Sequence, residues 1–325
     1  MSVIVSVPIP ARQARFVQLK ETLAVDNKVT INGQSVPPER MGHLHELPNW
    51  QTQAAALPEL LERDGYLLLR QALPRQAVLA ARQAVLRQLA SVAEIAEPLD
   101  SAVATGHSRR AEIHPDLGKF WRATSELPAL RAVTHGGALQ RIAESLFGEP
   151  CVPFDFLWLR SMVEGRASPL HFDHVYMNRG SQRLVSAWVP LGDVPLHGGP
   201  LVVVDGSHRF EDLIARYRGV DVDRGALPGS FPEDALSFAS SRNARLLSAD
   251  FRAGDVVLFG MFTLHGSCDN RMGGGRVRLS CDVRWQPASD ARDDRWFGSP
   301  PVGHGGQSYG GLNGARPLGQ SYMAR

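Results

Sequence analysis

The chain has 325 residues, is 43% hydrophobic and 21% charged, and sets Lys+Arg 35 against Asp+Glu 33 for a formal net charge of +2. That length suits one large domain or two small ones with a sizeable core, and the near-balance of charge without a basic block speaks against a nucleic-acid partner. The composition is too apolar for disorder, and no apolar run reaches the roughly 20 residues that span a bilayer.

In chain order, the N-terminal MSVIVSVPIPARQARF has its apolar stretch broken by Pro8 and Pro10, with no positive residue ahead of it. That is the wrong order for a secretory signal. Cys151, Cys268 and Cys281 are too scattered for a disulfide framework and form no CxxC pair, so a reducing cytoplasm is the expected setting. Residues 1–50 read as an extension rich in turn formers, with a hairpin over Val29–Val36 around Asn32-Gly33. A short helix is expected over Leu57–Arg63, stopped by Asp64-Gly65, then an apolar strand over Tyr66–Leu69. Val78, Ala81, Val85, Leu89 and Val92 recur near helical spacing after Pro74 and predict a longer helix. Another is expected over Ala138–Phe147, ended by Gly148 and Pro150.

Beyond Pro150 the texture changes. FDFLWLRSM, LVSAWVPL, PLVVVDG, DVVLFGMF and VRLSCDVRW are five strand candidates within about 140 residues, separated by Gly and Pro, which argues for a sandwich or barrel. Too few helices intervene for a parallel βαβ sheet. Residues 303–325 contain seven glycines and read as a flexible tail or flap.

The sharpest chemical signal is Pro169-Leu-His171-Phe-Asp173-His174. In a strand, residues two apart share a face, so His171 and Asp173 can converge on one ion while Phe172 points away. Two histidines and one carboxylate make the facial triad of non-haem Fe(II) oxygenases, which leaves three positions open. The second histidine is His265, expected at the far end of the AGDVVLFGMFTLH strand. In GGGRVRLSCDVRW, Arg276 and Arg278 share one expected strand face. A buried guanidinium beside a metal is costly unless an anion neutralises it, and a dicarboxylate would do so through two parallel hydrogen bonds.

HFDH, WVPLGDVPLHGGPLVVVDGSH, AGDVVLFGMFTLHGSCDN and VRLSCDVRW, in this order, resemble the phytanoyl-CoA dioxygenase family of Fe(II)/2-oxoglutarate oxygenases. The resemblance covers roughly residues 64–287, DGYLLLRQALP resembling the family's opening strand. It implies a mainly β protein with α: a double-stranded β-helix core (jelly roll, cupin-like) flanked by N-terminal helices, one domain over 51–302. It implies His171, Asp173 and His265 as iron ligands, with Fe(II), 2-oxoglutarate and O2 as cofactors. It also implies an arginine that anchors the far carboxylate of 2-oxoglutarate. The flanking VRLS text selects Arg278; a count from His265 selects Arg276, because the Met272–Gly275 turn is about two residues longer than usual. Strand context survives turn insertions better than spacing, so Arg278 is preferred and Arg276 held in reserve. Ser267 and Trp188 resemble residues that touch or line the co-substrate pocket.

The implied reaction oxidises a C–H bond of a small organic metabolite as 2-oxoglutarate is decarboxylated to succinate and CO2. With Asp173 present, where family halogenases carry a small residue, hydroxylation is favoured. The alternatives are a cupin-type metalloenzyme without 2-oxoglutarate and a silent small-molecule binder on the same fold. His174 is open between a supporting and a surface role, His208 reads as part of a structural turn, and His107, His114 and His197 as surface or hydrogen-bonding residues. Cys268 and Cys281 read as small strand or turn residues. Arg109, Arg110 and Arg160 are either solvated or face an acidic substrate.

Overall fold

The computed structural model describes residues 28–225, 229–231 and 234–319; the apolar N-terminal stretch and residues 320–325 lie outside the described residues. The expected hairpin forms from β1 (Thr30–Ile31) and β2 (Gln34–Ser35), with Asn32 at φ 51° and Gly33 at φ 79°. Two successive positive φ values define the two-residue hairpin turn that Asn-Gly adopts at least cost. Next come β3 (Met41–His43) and β4 (Glu46–Leu47), α1 (Leu57–Asp64), β5 (Tyr66–Leu69) and α2 (Arg75–Ala90). Gly65 ends α1 in the left-handed conformation at φ 78°, and a Cβ there would stand 2.3 Å from Nδ1 of His208. His208, whose Nε2 bonds the Glu62 carbonyl at 3.1 Å, therefore clamps that turn.

Four further helices precede the sheet-rich half: α3 (Arg110–Ile113), α4 (Leu117–Ser125), α5 (Pro128–Thr134) and α6 (Gly137–Phe147). Then follow β6 (Cys151–Pro153), β7 (Trp158–Met162), β8 (Val185–Pro190), β9 (Leu201–Val204), α7 (Glu211–Tyr217) and α8 (Ala235–Ser241). The series closes with β10 (Leu246–Ser248), β11 (Val256–Gly260), β12 (His265–Ser267) and β13 (Arg278–Pro287).

Two sheets face each other. The larger runs β4-β5-β11-β8-β13-β6, with β7 also on β13; the smaller runs β12-β9-β10-β3. Strand alternation sorts the core into layers. Leu279, Cys281, Val283 and Trp285 of β13 turn outward against the helices, joining the fully buried Val78, Ala81, Val85, Leu86 and Leu89 of α2. Val257, Phe259 and Trp188 turn inward and meet Val203, Leu247 and Phe251 between the sheets. A third cluster, with Val202, Val204, Leu246 and Phe238, covers the outer face of the smaller sheet. This is a double-stranded β-helix with helices on its flanks.

Two expectations about the ends need correction. Residues 28–50 are not an appendage: β3 pairs in parallel with β10 and β4 in parallel with β5, so both sheets take a strand from them. Residues 303–319 are seated on the body rather than free. Tyr309 is buried and stacks on Phe156 with ring centroids 4.4 Å apart, because Phe156, Trp158 and Trp296 form an aromatic floor that its ring covers.

Candidate metal centre

The chain does not run straight from β11 to His265. It leaves the larger sheet at Gly260, turns where the Thr263 amide bonds the Gly260 carbonyl at 3.1 Å, and enters the smaller sheet as β12. His265 is thus the first residue of a new strand, not the far end of the old one. His171 lies alongside it, and the two exchange both backbone hydrogen bonds, His171 N to His265 O at 2.9 Å and the reverse at 3.2 Å. Directly paired residues present side chains on one face, and the imidazole centroids stand 4.3 Å apart.

Phe172 is extended (φ −96°, ψ 134°) and its ring is buried against Tyr217 and Phe231. Asp173 returns to the face of His171, as expected, but as the first residue of a 3-10 turn, Asp173–Val175, instead of a strand residue. Asp173 Oδ1 lies 3.7 Å from His171 Nε2 and 3.9 Å from His265 Nε2. One ligand atom from each of the three residues lies within 4.8 Å of the others.

Hydrogen bonds orient all three. His171 Nδ1 bonds the Pro169 carbonyl at 2.9 Å and His265 Nδ1 the Thr263 carbonyl at 3.0 Å. A carbonyl only accepts, so each Nδ1 carries the proton and each Nε2 presents its lone pair inward. Burial pushes His171 down to about 3 and also lowers His265, so both rings are neutral at physiological pH. Burial alone would raise the Asp173 carboxyl, but the Arg284 charge, with the Ser186 hydroxyl, holds it well below the usual carboxylate range. Arg284 Nη2 donates to Asp173 Oδ2 at 2.8 Å, Ser186 donates to the same oxygen, and the Arg284 guanidinium lies over the Trp158 ring at 4.1 Å. Neutral imidazoles and an ionised carboxylate, each with an outer partner, are the donor set that suits Fe(II).

Arg278 is buried on the inner face of β13. Nη1 donates to Ser280, Nη2 contacts Met162 Sδ at 3.1 Å, Nε has no partner, and no carboxylate pairs with it among the described residues. Burial pulls its guanidinium down to about 10. A buried cation without a neutralising anion is costly. Ser267 joins this corner: it accepts from the Ser168 amide at 2.7 Å and lies 3.8 Å from Met162 Sδ. Trp188 faces the same interior, opposite Asp282 in register and 4.8 Å from Phe251.

Arg276, expected on the same strand face as Arg278, is exposed. The strand begins only at Arg278, because Gly273, Gly274 and Gly275 spend the preceding residues on a turn. His174 points away from the triad, its Nε2 on the Arg218 carbonyl at 2.7 Å and its ring stacked on Phe262. Arg109 pairs at the surface with Glu112, whereas Arg110 is fully buried and paired with Glu94 at 2.6 Å, so it is not a solvated side chain. Ser186 and Arg284 were missed by sequence reasoning; the one available signal was that Arg284 shares the alternation of Arg278 and Asp282.

A two-histidine, one-carboxylate cluster inside a double-stranded β-helix, with a buried arginine on the same inner wall, is the arrangement of a non-haem iron oxygenase of the 2-oxoglutarate-dependent class. The model of the phytanoyl-CoA dioxygenase (PhyH) family matches residues 61–277, and the chain belongs to that family. It is an Fe(II)- and 2-oxoglutarate-dependent dioxygenase that oxidises a small organic molecule with O2 and releases succinate and CO2. The 1-deoxypentalenic acid 11-beta-hydroxylase of Streptomyces arenae is 27% identical over 256 residues, 73% of this chain and 82% of that protein. The enzyme of the same name from Streptomyces exfoliatus is 27% identical over 255 residues, with the same shares covered. In fold, the chain is similar to the apo form of EctD from S. alaskensis, with a TM-score of 0.50 at 22% identity, covering 84% of this chain and 89% of that one. Among the described residues, no helix is long and apolar enough to cross a membrane.

Proposed function

We propose that His171, Asp173 and His265 are the three iron ligands, through Nε2, Oδ1 and Nε2, and that Arg278 anchors the far carboxylate of 2-oxoglutarate. Ser267 borders that carboxylate, and Trp188 walls the space beside it. Iron, 2-oxoglutarate and O2 supply the oxidant; the protein orients the partners and excludes water. The reaction on the substrate is hydroxylation of a C–H bond. The carboxylate at Asp173 supports this, as does the likeness to the two Streptomyces hydroxylases above. A cytoplasmic setting is part of the proposal and rests on three free, buried thiols.

The single observation that carries the reading is the convergence of two Nε2 atoms and Oδ1 to within 4.8 Å of one another, each Nδ1 engaged behind. The test is anaerobic titration of the Fe(II)-loaded protein with 2-oxoglutarate. A weak visible charge-transfer band is expected, lost in His171→Ala and Asp173→Ala. Its absence from the wild type, with iron bound, would overturn the use of 2-oxoglutarate.

A further inference from the structure

The Arg160–Asp282 pair has no part in the assignment above. β7 sets Arg160 directly opposite Ser280, so its side chain shares the inner face with Arg278, Asp282 and Arg284. Two residues before it, Trp158 carries the Arg284 guanidinium that holds Asp173; two residues after it, Met162 touches Arg278. Arg160 therefore stands between the triad and the co-substrate anchor. Its Nε donates to Asp282 Oδ2 at 2.5 Å, and neither Nη has a partner among the described residues. The Arg160 side chain remains 30% accessible while Asp282 keeps only 5%, so the free edge of the guanidinium borders open space inside the fold.

Charge accounting points the same way. On the inner faces of β7, β8 and β13, together with Asp173, three guanidiniums (Arg160, Arg278, Arg284) oppose two carboxylates (Asp173, Asp282). A divalent iron and a doubly negative 2-oxoglutarate cancel each other, so the loaded site keeps one positive charge. A planar fork with two free N–H groups matches a carboxylate in a way an ammonium cannot. We infer that Arg160 is a specificity-determining residue that seats a carboxylate of the primary substrate, so the substrates are small organic acids. This rests on the iron and 2-oxoglutarate reading, in which the ends of the co-substrate are held by the metal and Arg278.

The test uses the full chain loaded with Mn(II) and saturated with 2-oxoglutarate, with trifluoroacetate as the probe and trifluoroethanol as its neutral counterpart, followed by fluorine NMR relaxation. Both molecules are small enough to enter whatever the shape of the substrate. The anion is expected to be relaxed by the metal and the alcohol not. Arg160→Gln should weaken the anion about tenfold, and Arg160→Lys, which keeps a charge beside Asp282, by less, with 2-oxoglutarate affinity unchanged in both. Unchanged anion binding in both variants, equal relaxation of the alcohol, or loss of 2-oxoglutarate in place of the anion would overturn the inference. Failure of the wild type to bind Mn(II) or 2-oxoglutarate is read separately, by the Mn(II) resonance and equilibrium dialysis. That result overturns the iron reading and this inference with it.

Discussion

Ser186 and Arg284 stand directly opposite each other on β8 and β13, and both donate to Oδ2 of Asp173, leaving Oδ1 to face the histidines. The pair divides the carboxylate, one oxygen fixed and one offered. In Arg284→Met, burial would no longer be opposed by a guanidinium, so the Asp173 carboxyl would rise and a proton would compete with the metal. Fe(II) affinity is expected to fall about 10–100-fold, and the loss to deepen as pH drops. Ser186→Ala should show a smaller loss of the same kind. Competition titration against a metal chelator at two pH values checks this, and equal affinities for wild type and Arg284→Met would sink it.

Arg278 and Arg276 make opposite predictions for the co-substrate. Arg278 is buried without a carboxylate partner among the described residues, whereas Arg276 is exposed beyond the end of the strand. Arg278→Leu should weaken 2-oxoglutarate about 10–100-fold, the range for loss of hydrogen bonds to a charged group. Arg276→Leu should leave affinity within about twofold, as for a solvated side chain. Dissociation constants from the anaerobic charge-transfer band decide the matter, and the reverse ranking would return the anchor to Arg276.

The triad and the layered sheets were legible because their signals are local or periodic. HxD places two ligands on one face whatever the strand length, and the alternation in RLSCDVRW is carried by β13 from Arg278 on. What stayed hidden depends on partners distant in sequence. β10 is three residues, Leu246–Ser248, too short for a period to show, and its place between β9 and β3 comes from pairing alone. The break between Gly260 and His265 was hidden by apolar residues on both sides of the crossing. The seat of the Gly-rich segment depends on Phe156 and Trp296, which composition does not place beneath it. Short helices such as α3, α5 and α8 carry two turns or fewer, below the length at which hydrophobic spacing discriminates.

The fold itself should weaken in acid, in part through His135. Burial, and then the nearby Arg131 charge, push its ring down to about 4, while the ring bonds Phe154 O at 3.0 Å. In the unfolded chain it titrates near 6.5, so between about 6.5 and about 4 the unfolded state binds a proton that the folded state lacks. Its contribution is therefore fully present above that window and declines as pH falls through it, by at most about 1.4 kcal/mol per pH unit. His135→Gln removes the titration and, because the bond to Phe154 is made by Nε2, keeps a donor at that reach. Urea unfolding at several pH values should give a flatter dependence for the variant, and parallel curves would show that His135 does not contribute.

The C-terminal segment is held by charge as well as by stacking. Arg110 donates to the carbonyls of Gly314 at 2.6 Å and Arg316 at 2.9 Å, and its charge is balanced by Glu94 at 2.6 Å, both side chains fully buried. Removing one partner strands the other charge in a medium that cannot solvate it, a cost of about 3–5 kcal/mol. Glu94→Gln is therefore expected to lower the stability of the whole fold by roughly that amount, because Arg110 also packs over Phe120 at 4.5 Å. Gly314 offers a more local probe. A Cβ there would stand 2.0 Å from the indole of the fully buried Trp121, which has no room to retreat, so Gly314→Ala should loosen the segment against α4. Limited proteolysis should then cut within 303–319 faster in Gly314→Ala than in wild type, while the urea midpoint moves less than in Glu94→Gln. Equal cutting rates would mean that the contact between Gly314 and Trp121 does not hold the segment in place.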